Sequence, residues 1–377
     1  MLVFSLDYPP NDGGIARLSA EIVKGLVARD YPIRVLSREY KGMDKPAIDD
    51  LVSTKRLTSK RPLCELIALV DLYRMAKETI CISGIWYPDG LLVQLGGLQN
   101  HVVLAHSAEL YPPRQKWRQP LWRYLKRVVL ENAKVVIANS HFTADFVKQV
   151  APRAKVIPVP LAVDQKEFCP QDRTIARAKW EIDNDKIVLC TVSRIQRFKG
   201  HETVLEAISN LPSEIREQFV YLVGGKGPDL EFLKGQARQL GIEHLVQWLG
   251  FVADDELPTL YSAADLFILA TRDVPEKRSV EGFGLAYLEA QSCGVPVVGT
   301  NTGGIPDAIS HGDGGWLIKQ DDVQDLTRIF TDLYNKPEDF RAMGIKARER
   351  VEREFTWEHY LNRFIAALAE EGIQLDD

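Results

Sequence analysis

The chain is poor in several features that would each have settled its class. No apolar run approaches the ~20 residues that a membrane-crossing helix needs. The opening MLVFSLDYPPNDGG has neither a basic leader nor an apolar stretch of signal length, and is expected to form a buried first strand. There are five cysteines, at positions 64, 81, 169, 190 and 293, an odd number without a C-x-x-C pair. That pattern argues against a disulfide framework and against a zinc site. Together these absences predict a cytoplasmic protein. The dinucleotide fingerprint G-x-G-x-x-G is missing after the first strand.

What is present is a globular composition, 45% hydrophobic and 26% charged, in 377 residues, enough for two domains of ordinary size. The net charge of −5 hides an asymmetry. Residues 1–160 carry 23 Lys and Arg against 15 Asp and Glu, a balance of +8, which leaves 24 basic and 37 acidic residues, −13, in the remainder. The first half is therefore expected to meet something anionic: a sugar phosphate, a lipid phosphate or a membrane surface.

Short apolar runs alternate with amphipathic segments of helix length. In the first half strands are predicted at 2–5, 33–37, 80–85, 102–105, 135–138 and 156–158, and helices at 15–28, 64–78, 91–99, 122–132 and 142–150. Such alternation predicts a parallel, doubly wound α/β sheet, with ligands beyond the carboxyl ends of the strands. Several polar segments fall there. Gly13 and Gly14 follow the first strand and can wrap a phosphate or sugar against a helix N-terminus, although a plain βα turn would look the same. His106 and Glu109 follow the strand at 102–105, where a lone His also serves structure. Ser140 in Asn139-Ser140-x-x-Thr143 reads equally as a helix N-cap. Residues 114–127 hold six basic residues and no acidic one, with Trp117, Trp122 and Tyr124 interleaved. That mixture suits an anionic membrane surface or acceptor, and a solvated helix face explains it too. Lys55, Arg56, Lys60 and Arg61 extend the same basic character. The overall acidity argues against nucleic acid.

The second half begins with a strand at 187–193, followed by Arg194, Arg197, Lys199 and Gly200. Cations after a strand, with a glycine opening a helix, form an anion site or a basic surface loop. A strand ending in Gly224-Gly225-Lys226-Gly227-Pro228 comes next, and then Leu249-Gly250-Phe251-Val252. The loop at 271–279 brings Arg272, Lys277 and Arg278. Asp183-Asn184-Asp185 precedes its strand and reads as a turn, not a metal motif. Helices are predicted at 323–335, 337–354 and 357–371.

The most informative stretch is 278–304, RSVEGFGLAYLEAQSCGVPVVGTNTGG. A helix over 285–292, capped by Gly294, leads into the apolar run at 295–299. Glu281 and Glu289 lie eight positions apart, a little over two turns, so both fall on one side of the element. The free N–H groups near Phe283, Gly284 and Leu285 favour an anion. An amphipathic helix with a solvent-facing Glu289 would account for the carboxylate pair alone.

With its glycines and the strand that follows, this stretch resembles the hallmark E-x7-E of the retaining GT-B glycosyltransferases of family 4, commonly E-G-F-G-x3-L-E-A. The resemblance runs in order along essentially the whole chain. In the linker Val163-Asp164 and Phe168 keep the family's pattern, while its Asn-Gly is missing, a departure that touches the local turn and not the fold. It implies two Rossmann-like doubly wound domains, 1–162 for the acceptor and 163–356 for the nucleotide sugar, with a cleft between them, and a terminal helix, 357–377, crossing back to the first. It also implies a nucleotide-diphospho-sugar donor, GDP- or UDP-linked, a hydroxyl acceptor, and neither cofactor nor divalent metal. Residue by residue, Arg194 and Lys199 map to the pair on the diphosphate. Glu281 and the backbone of Phe283 and Gly284 map to the transferred sugar, and Glu289 to the ribose. Gly225 and Val252 map to the nucleotide, His106 to the sugar, and Gly13 and Gly14 to a loop over donor and acceptor. Its layout is nearest to phosphatidylinositol and polysaccharide mannosyltransferases, and the +8 first half with segment 114–127 adds the expectation of a lipid-linked acceptor and a peripheral position on the inner face of the cytoplasmic membrane. A nucleotide-sugar epimerase, a phosphorylase or a non-catalytic sugar-nucleotide binder are the competing readings.

Overall fold

Strands that are apolar at every position can only be covered on both faces, and the computed structural model, which describes residues 1–11, 13–274, 276 and 279–375, shows two such parallel sheets. The chain divides into two compact units. One comprises Met1–Pro160 with Trp357–Asp377, the other Leu161–Thr356.

The first unit holds β1 (Leu2–Phe4), β2 (Arg34–Arg38), β3 (Ser53–Leu57), β4 (Cys81–Ser83), β5 (His101–Ala105), β6 (Val135–Ala138) and β7 (Val156–Pro158). Their order is β3-β2-β1-β4-β5-β6-β7, and every pairing is parallel. β1 therefore sits where the strand order reverses, the place at which open α/β sheets leave a crevice. β5 and β6 are buried throughout, as their apolar sequences require. β3 was not expected. Its sequence, STKRL, alternates exposed and covered positions at the sheet edge, where charged residues are tolerated. The final helix, Trp357–Glu370, packs on the helix Gly14–Val27. Gly25 permits the approach, since a Cβ there would fall 2.0 Å from Leu361 Cδ1. Arg29 Nη2 donates to Asn362 Oδ1 at 2.6 Å, and Lys155 pairs with Glu371 at 2.6 Å.

The second unit holds β8 (Ile187–Val192), β9 (Phe219–Gly224), β10 (Val246–Gly250), β11 (Leu266–Leu269), β12 (Val297–Thr300), β13 (Ser310–His311) and β14 (Gly314–Ile318), ordered β10-β9-β8-β11-β12-β14-β13. Its core gathers Leu189, Leu205, Phe219, Tyr221, Leu266 and Phe330. Helices at Leu285–Ser292, Val323–Asn335 and Pro337–Glu354 match the predicted bounds. Among the described residues no helix is long and apolar enough to cross a membrane. Asp183 lies in a turn, accepting from Lys186 N at 3.2 Å.

Candidate active site

In the second unit the segments after β8, β9, β10 and β11 hold the predicted donor residues. Lys199 ends a short turn, and Gly200 follows with φ +75° to start the helix His201–Ser209. Lys199 Nζ reaches Glu281 Oε2 at 2.6 Å, with both side chains largely covered (13% and 17% exposed). A cation from the first of these loops thus meets a carboxylate from the loop ahead of the helix Leu285–Ser292. The Glu281 carbonyl accepts from Gly304 N at 2.9 Å, which ties that loop to the segment after β12. Gly284, φ +94°, turns the chain into the helix. A Cβ there would meet Tyr287 Cδ2 at 2.5 Å, so only glycine fits. Phe283 points inward and packs near Phe355, leaving its backbone as the part able to meet a ligand. Leu285 is half-buried at the helix start.

Glu289 does not face solvent. It is 9% exposed and accepts a hydrogen bond from the Tyr261 hydroxyl at 2.8 Å. Burial, and then the carboxylate, push the Tyr261 hydroxyl far above its ordinary range, so it stays a donor. Tyr261 was not singled out in the sequence, because it comes from a separate helix, Leu257–Ala263. Tyr261→Phe removes this donor from a buried carboxylate. A loss of about 1–3 kcal/mol in stability is expected, together with a raised KM for the nucleotide sugar. Urea unfolding and initial rates check the two halves separately.

Arg194 is exposed and forms no ion pair among the described residues. Its loop is nevertheless fixed: Ser193 N donates to Gly224 O at 3.0 Å and Ile195 N to Lys226 O at 2.9 Å. Gly225 N donates to Gly250 O at 2.6 Å, which gathers the β8, β9 and β10 loops, and Val252 is buried beside them. Arg197 is engaged elsewhere. It pairs with Glu202 at 2.5 Å, and Glu202 also takes Arg272 Nη1 at 2.7 Å. These two arginines brace the loops against each other. Lys277 and Arg278 lie outside the described residues.

Behind Lys199 stands a buried network that sequence reasoning missed. His201 Nδ1 lies 3.2 Å from the Tyr221 hydroxyl and Nε2 3.1 Å from Ser193 Oγ; the Tyr221 hydroxyl lies 2.8 Å from Thr191 Oγ1. Burial first, and Lys199 second, depress His201 to about 3. Burial alone does the same to His101 on β5. The unfolded chain protonates both near pH 6.5, the folded chain only near 3. Stability present above pH 6.5 is therefore lost as pH falls through that window. Urea midpoints should drop from pH 7 to pH 4, and His201→Gln should flatten the slope whatever it does at pH 7.

In the first unit Gly13 caps the helix Gly14–Val27, and Gly14 opens it with open space at its Cα; Asp12 lies outside the described residues. His106 Nε2 is 2.9 Å from Gly84 O, and its backbone N–H donates to Glu109 Oε1 at 2.7 Å, so Glu109 shapes the turn. Ser140 is the N-cap, accepting from Thr143 N at 3.1 Å. The basic segment needs correction. Lys126 is buried and its Nζ donates to Leu110 O, and Trp122 packs edge-on against Trp86 at 4.7 Å. Trp117, Leu121 and Tyr124 are exposed, with Arg114, Lys116, Arg118, Arg123 and Arg127 around them. Arg56 is held by Asp49 at 2.7 Å and Lys55 by Asp71 at 2.6 Å, so neither simply extends that patch.

Comparison with known proteins gives the family and the fold. Residues 172–350 match the model for glycosyl transferases group 1, and residues 12–167 the model for Glycosyltransferase Family 4. A GDP-mannose-dependent alpha-(1-6)-phosphatidylinositol monomannoside mannosyltransferase of Mycolicibacterium smegmatis is 30% identical over 372 residues, covering 95% of each chain. The fold is shared with sucrose-phosphate synthase from Thermosynechococcus elongatus (TM-score 0.81, 21% identity, 98% of each chain). It is shared also with Anabaena HepE in complex with UDP (TM-score 0.79, 19% identity, 98% of this chain and 100% of that one). The chain is a GT-B glycosyltransferase and belongs to the group 1, family 4 glycosyltransferases.

Proposed function

We propose that the chain is a retaining hexosyltransferase that moves a hexose, mannose from GDP-mannose being the first candidate, from a nucleoside-diphosphate sugar to a hydroxyl acceptor, without a metal. The Lys199–Glu281 pair beside the Gly284 turn carries this reading. Lys199 and Arg194 take the diphosphate, Glu281 and the backbone at Phe283 and Gly284 the sugar hydroxyls, and Glu289, set by Tyr261, the ribose diol. His106 contributes a sugar contact. Glu281 holds Lys199 in place before the donor arrives. In the reaction the acceptor oxygen bonds to the anomeric carbon while the bond from that carbon to the diphosphate oxygen breaks. The electron pair leaves with the diphosphate, whose oxygen takes the acceptor proton. Charge grows on the diphosphate in the transition state, so Lys199, Arg194 and the start of the helix Leu285–Ser292 act on the chemical step and not on binding alone. The GDP-mannose dependence in the name of the Mycolicibacterium smegmatis relative supports GDP-mannose as the first donor to test.

Glycolipid or polysaccharide synthesis is the context this reading implies, with the exposed Trp117, Leu121 and Tyr124 among five basic residues resting on an anionic lipid surface. Liposomes containing anionic lipid should bind the protein at low salt and release it at high salt; no binding at low salt removes the membrane part.

The test is a thermal-shift and hydrolysis screen of GDP-mannose, UDP-glucose, UDP-N-acetylglucosamine and their nucleoside diphosphates, with and without EDTA. One nucleotide series should stabilise the protein equally in both conditions. Stabilisation that EDTA abolishes ends metal independence. Folded protein that none of them stabilises ends the donor assignment. Product NMR decides retention, and an inverted anomer overturns it.

A further inference from the structure

The second unit has a cavity at the end of its sheet opposite the donor loops. It measures about 580 Å³, and its lining includes Ile187 at the start of β8, Gln218 just ahead of β9 and Asp265 just ahead of β11. β8 is 6 residues long, about 20 Å of strand, and Lys199 lies beyond its other end, so a molecule in this cavity does not reach the donor cations.

Arginine is concentrated here beyond what the carboxylates require. Asp265 Oδ1 accepts from Arg173 Nη2, and Oδ2 from Arg177 Nη2 at 2.7 Å and Val188 N at 2.8 Å, so both of its oxygens are taken. Arg177 is fully buried and directs Nη1 to the carbonyls of Asn184 at 2.8 Å and Lys186 at 2.9 Å. Burial lowers the Arg177 guanidinium below its ordinary value; Asp265 works against that, and the neighbouring Arg173 and Arg341 add to it. Arg341 lines the cavity and so brings a third guanidinium to the cluster, yet its ion pair is with Glu338, where both side chains are exposed. Lys186 adds a fourth cation, its Nζ donating to Glu217 O at 2.8 Å. Against these stand Asp265, already satisfied, and the exposed Asp185. Cations gathered this way repel one another, and an anion seated among them removes that cost.

We propose that this cavity is a second anion site and takes the phosphoryl group of a small phosphate ester, held by Arg173, Lys186 and Arg341, with the Tyr334 ring and the Gln218 amide against the rest of the molecule. A guanidinium fork matches phosphate oxygens, and the volume admits a body the size of a sugar. The site also touches the donor side through one residue. Arg177 Nε donates to Ala263 O at 3.2 Å, at the end of the helix Leu257–Ala263, whose Tyr261 donates to Glu289. The ester therefore acts as an effector of donor binding, and this half of the proposal rests on the transferase reading.

Binding is measured by calorimetry on the full chain with glucose 6-phosphate, glucose and inorganic phosphate. Glucose 6-phosphate should bind at least tenfold more tightly than either of the others; phosphate binding as tightly as the ester identifies free phosphate as the ligand. Arg341→Gln, at an exposed position that folding does not need, should weaken the ester about tenfold, and Tyr334→Ala should weaken the ester but not phosphate. Lys199→Met should leave both unchanged. Ester binding that survives Arg341→Gln but is lost in Lys199→Met places the anion in the donor site and overturns the cavity, as does no binding of any probe. For the effector half, the affinity of the stabilising nucleoside diphosphate should change at least threefold when the ester is saturating, and Arg341→Gln should abolish the change. An unchanged nucleotide affinity with the ester bound overturns the effector role. If the ester binds and no nucleotide does, the transferase reading falls and the cavity stands.

Discussion

Replacing Lys199 with methionine lowers kcat/KM by about 10²–10³-fold, and most of the loss falls on kcat. The reasoning begins with the pair itself. Lys199 and Glu281 are 2.6 Å apart with both side chains largely covered, so on the proposed donor reading the ammonium is already positioned and little reorganisation would remain as a diphosphate departs. Removing a preorganised donor aimed at a growing oxyanion costs more than removing a surface cation. Methionine keeps the stem length and leaves Glu281 without this partner. A second variant separates chemistry from structure. Glu281→Gln should lower activity through lost sugar contacts, and Lys199→Met combined with Glu281→Gln should restore folding stability relative to Lys199→Met without restoring turnover. A double variant as active as the parent would mean the pair only braces the loops. Single-turnover rates with saturating donor are the measurement, because they isolate the chemical step from product release.

How far the sequence reached depends on where each signal was stored. The alternation of apolar runs with amphipathic segments was enough for the parallel sheet of the first half, the family resemblance implied the second, and Leu285–Ser292 was readable from its flanking glycines. β3 escaped because an edge strand has one pairing side and tolerates Lys55 and Arg56. The basic segment was over-read because composition assigns every cation to the surface. Lys126 turns inward to a backbone carbonyl, and Trp122 belongs to an aromatic cluster with Trp86 and Tyr87. In the proposed donor site the carboxylates drew notice through their spacing, while the residues that hold them in the fold did not. Tyr261, His201 and Glu202 reach the site from helices whose local sequence gives no hint of it, so only the folded chain shows them.

Gly200→Ala should cost about 4 kcal/mol or more, enough to lower the midpoint of the second unit by roughly 10 °C. At φ +75° an L side chain is already strained, and the new Cβ would lie 1.7 Å from the carbonyl oxygen of Ala270 and 2.4 Å from its carbon. Both are backbone atoms at the end of β11, so no rotamer change relieves the clash. The loop must move, and Lys199 moves with it. Activity at a temperature where the variant is still folded should therefore fall alongside stability, with a weaker response to added nucleoside diphosphate. Gly235→Ala is the matched comparison. It sits within the helix Leu230–Gln239 with nothing within 4 Å of its Cβ, and alanine there should stabilise by up to about 1 kcal/mol and leave activity unchanged. If both substitutions shift the melting temperature alike, the clash with Ala270 is not what sets the cost. If Gly200→Ala destabilises while single-turnover rates stay at the parental value, the position of Lys199 does not depend on this turn, and the link between the β11 backbone and the donor cation fails.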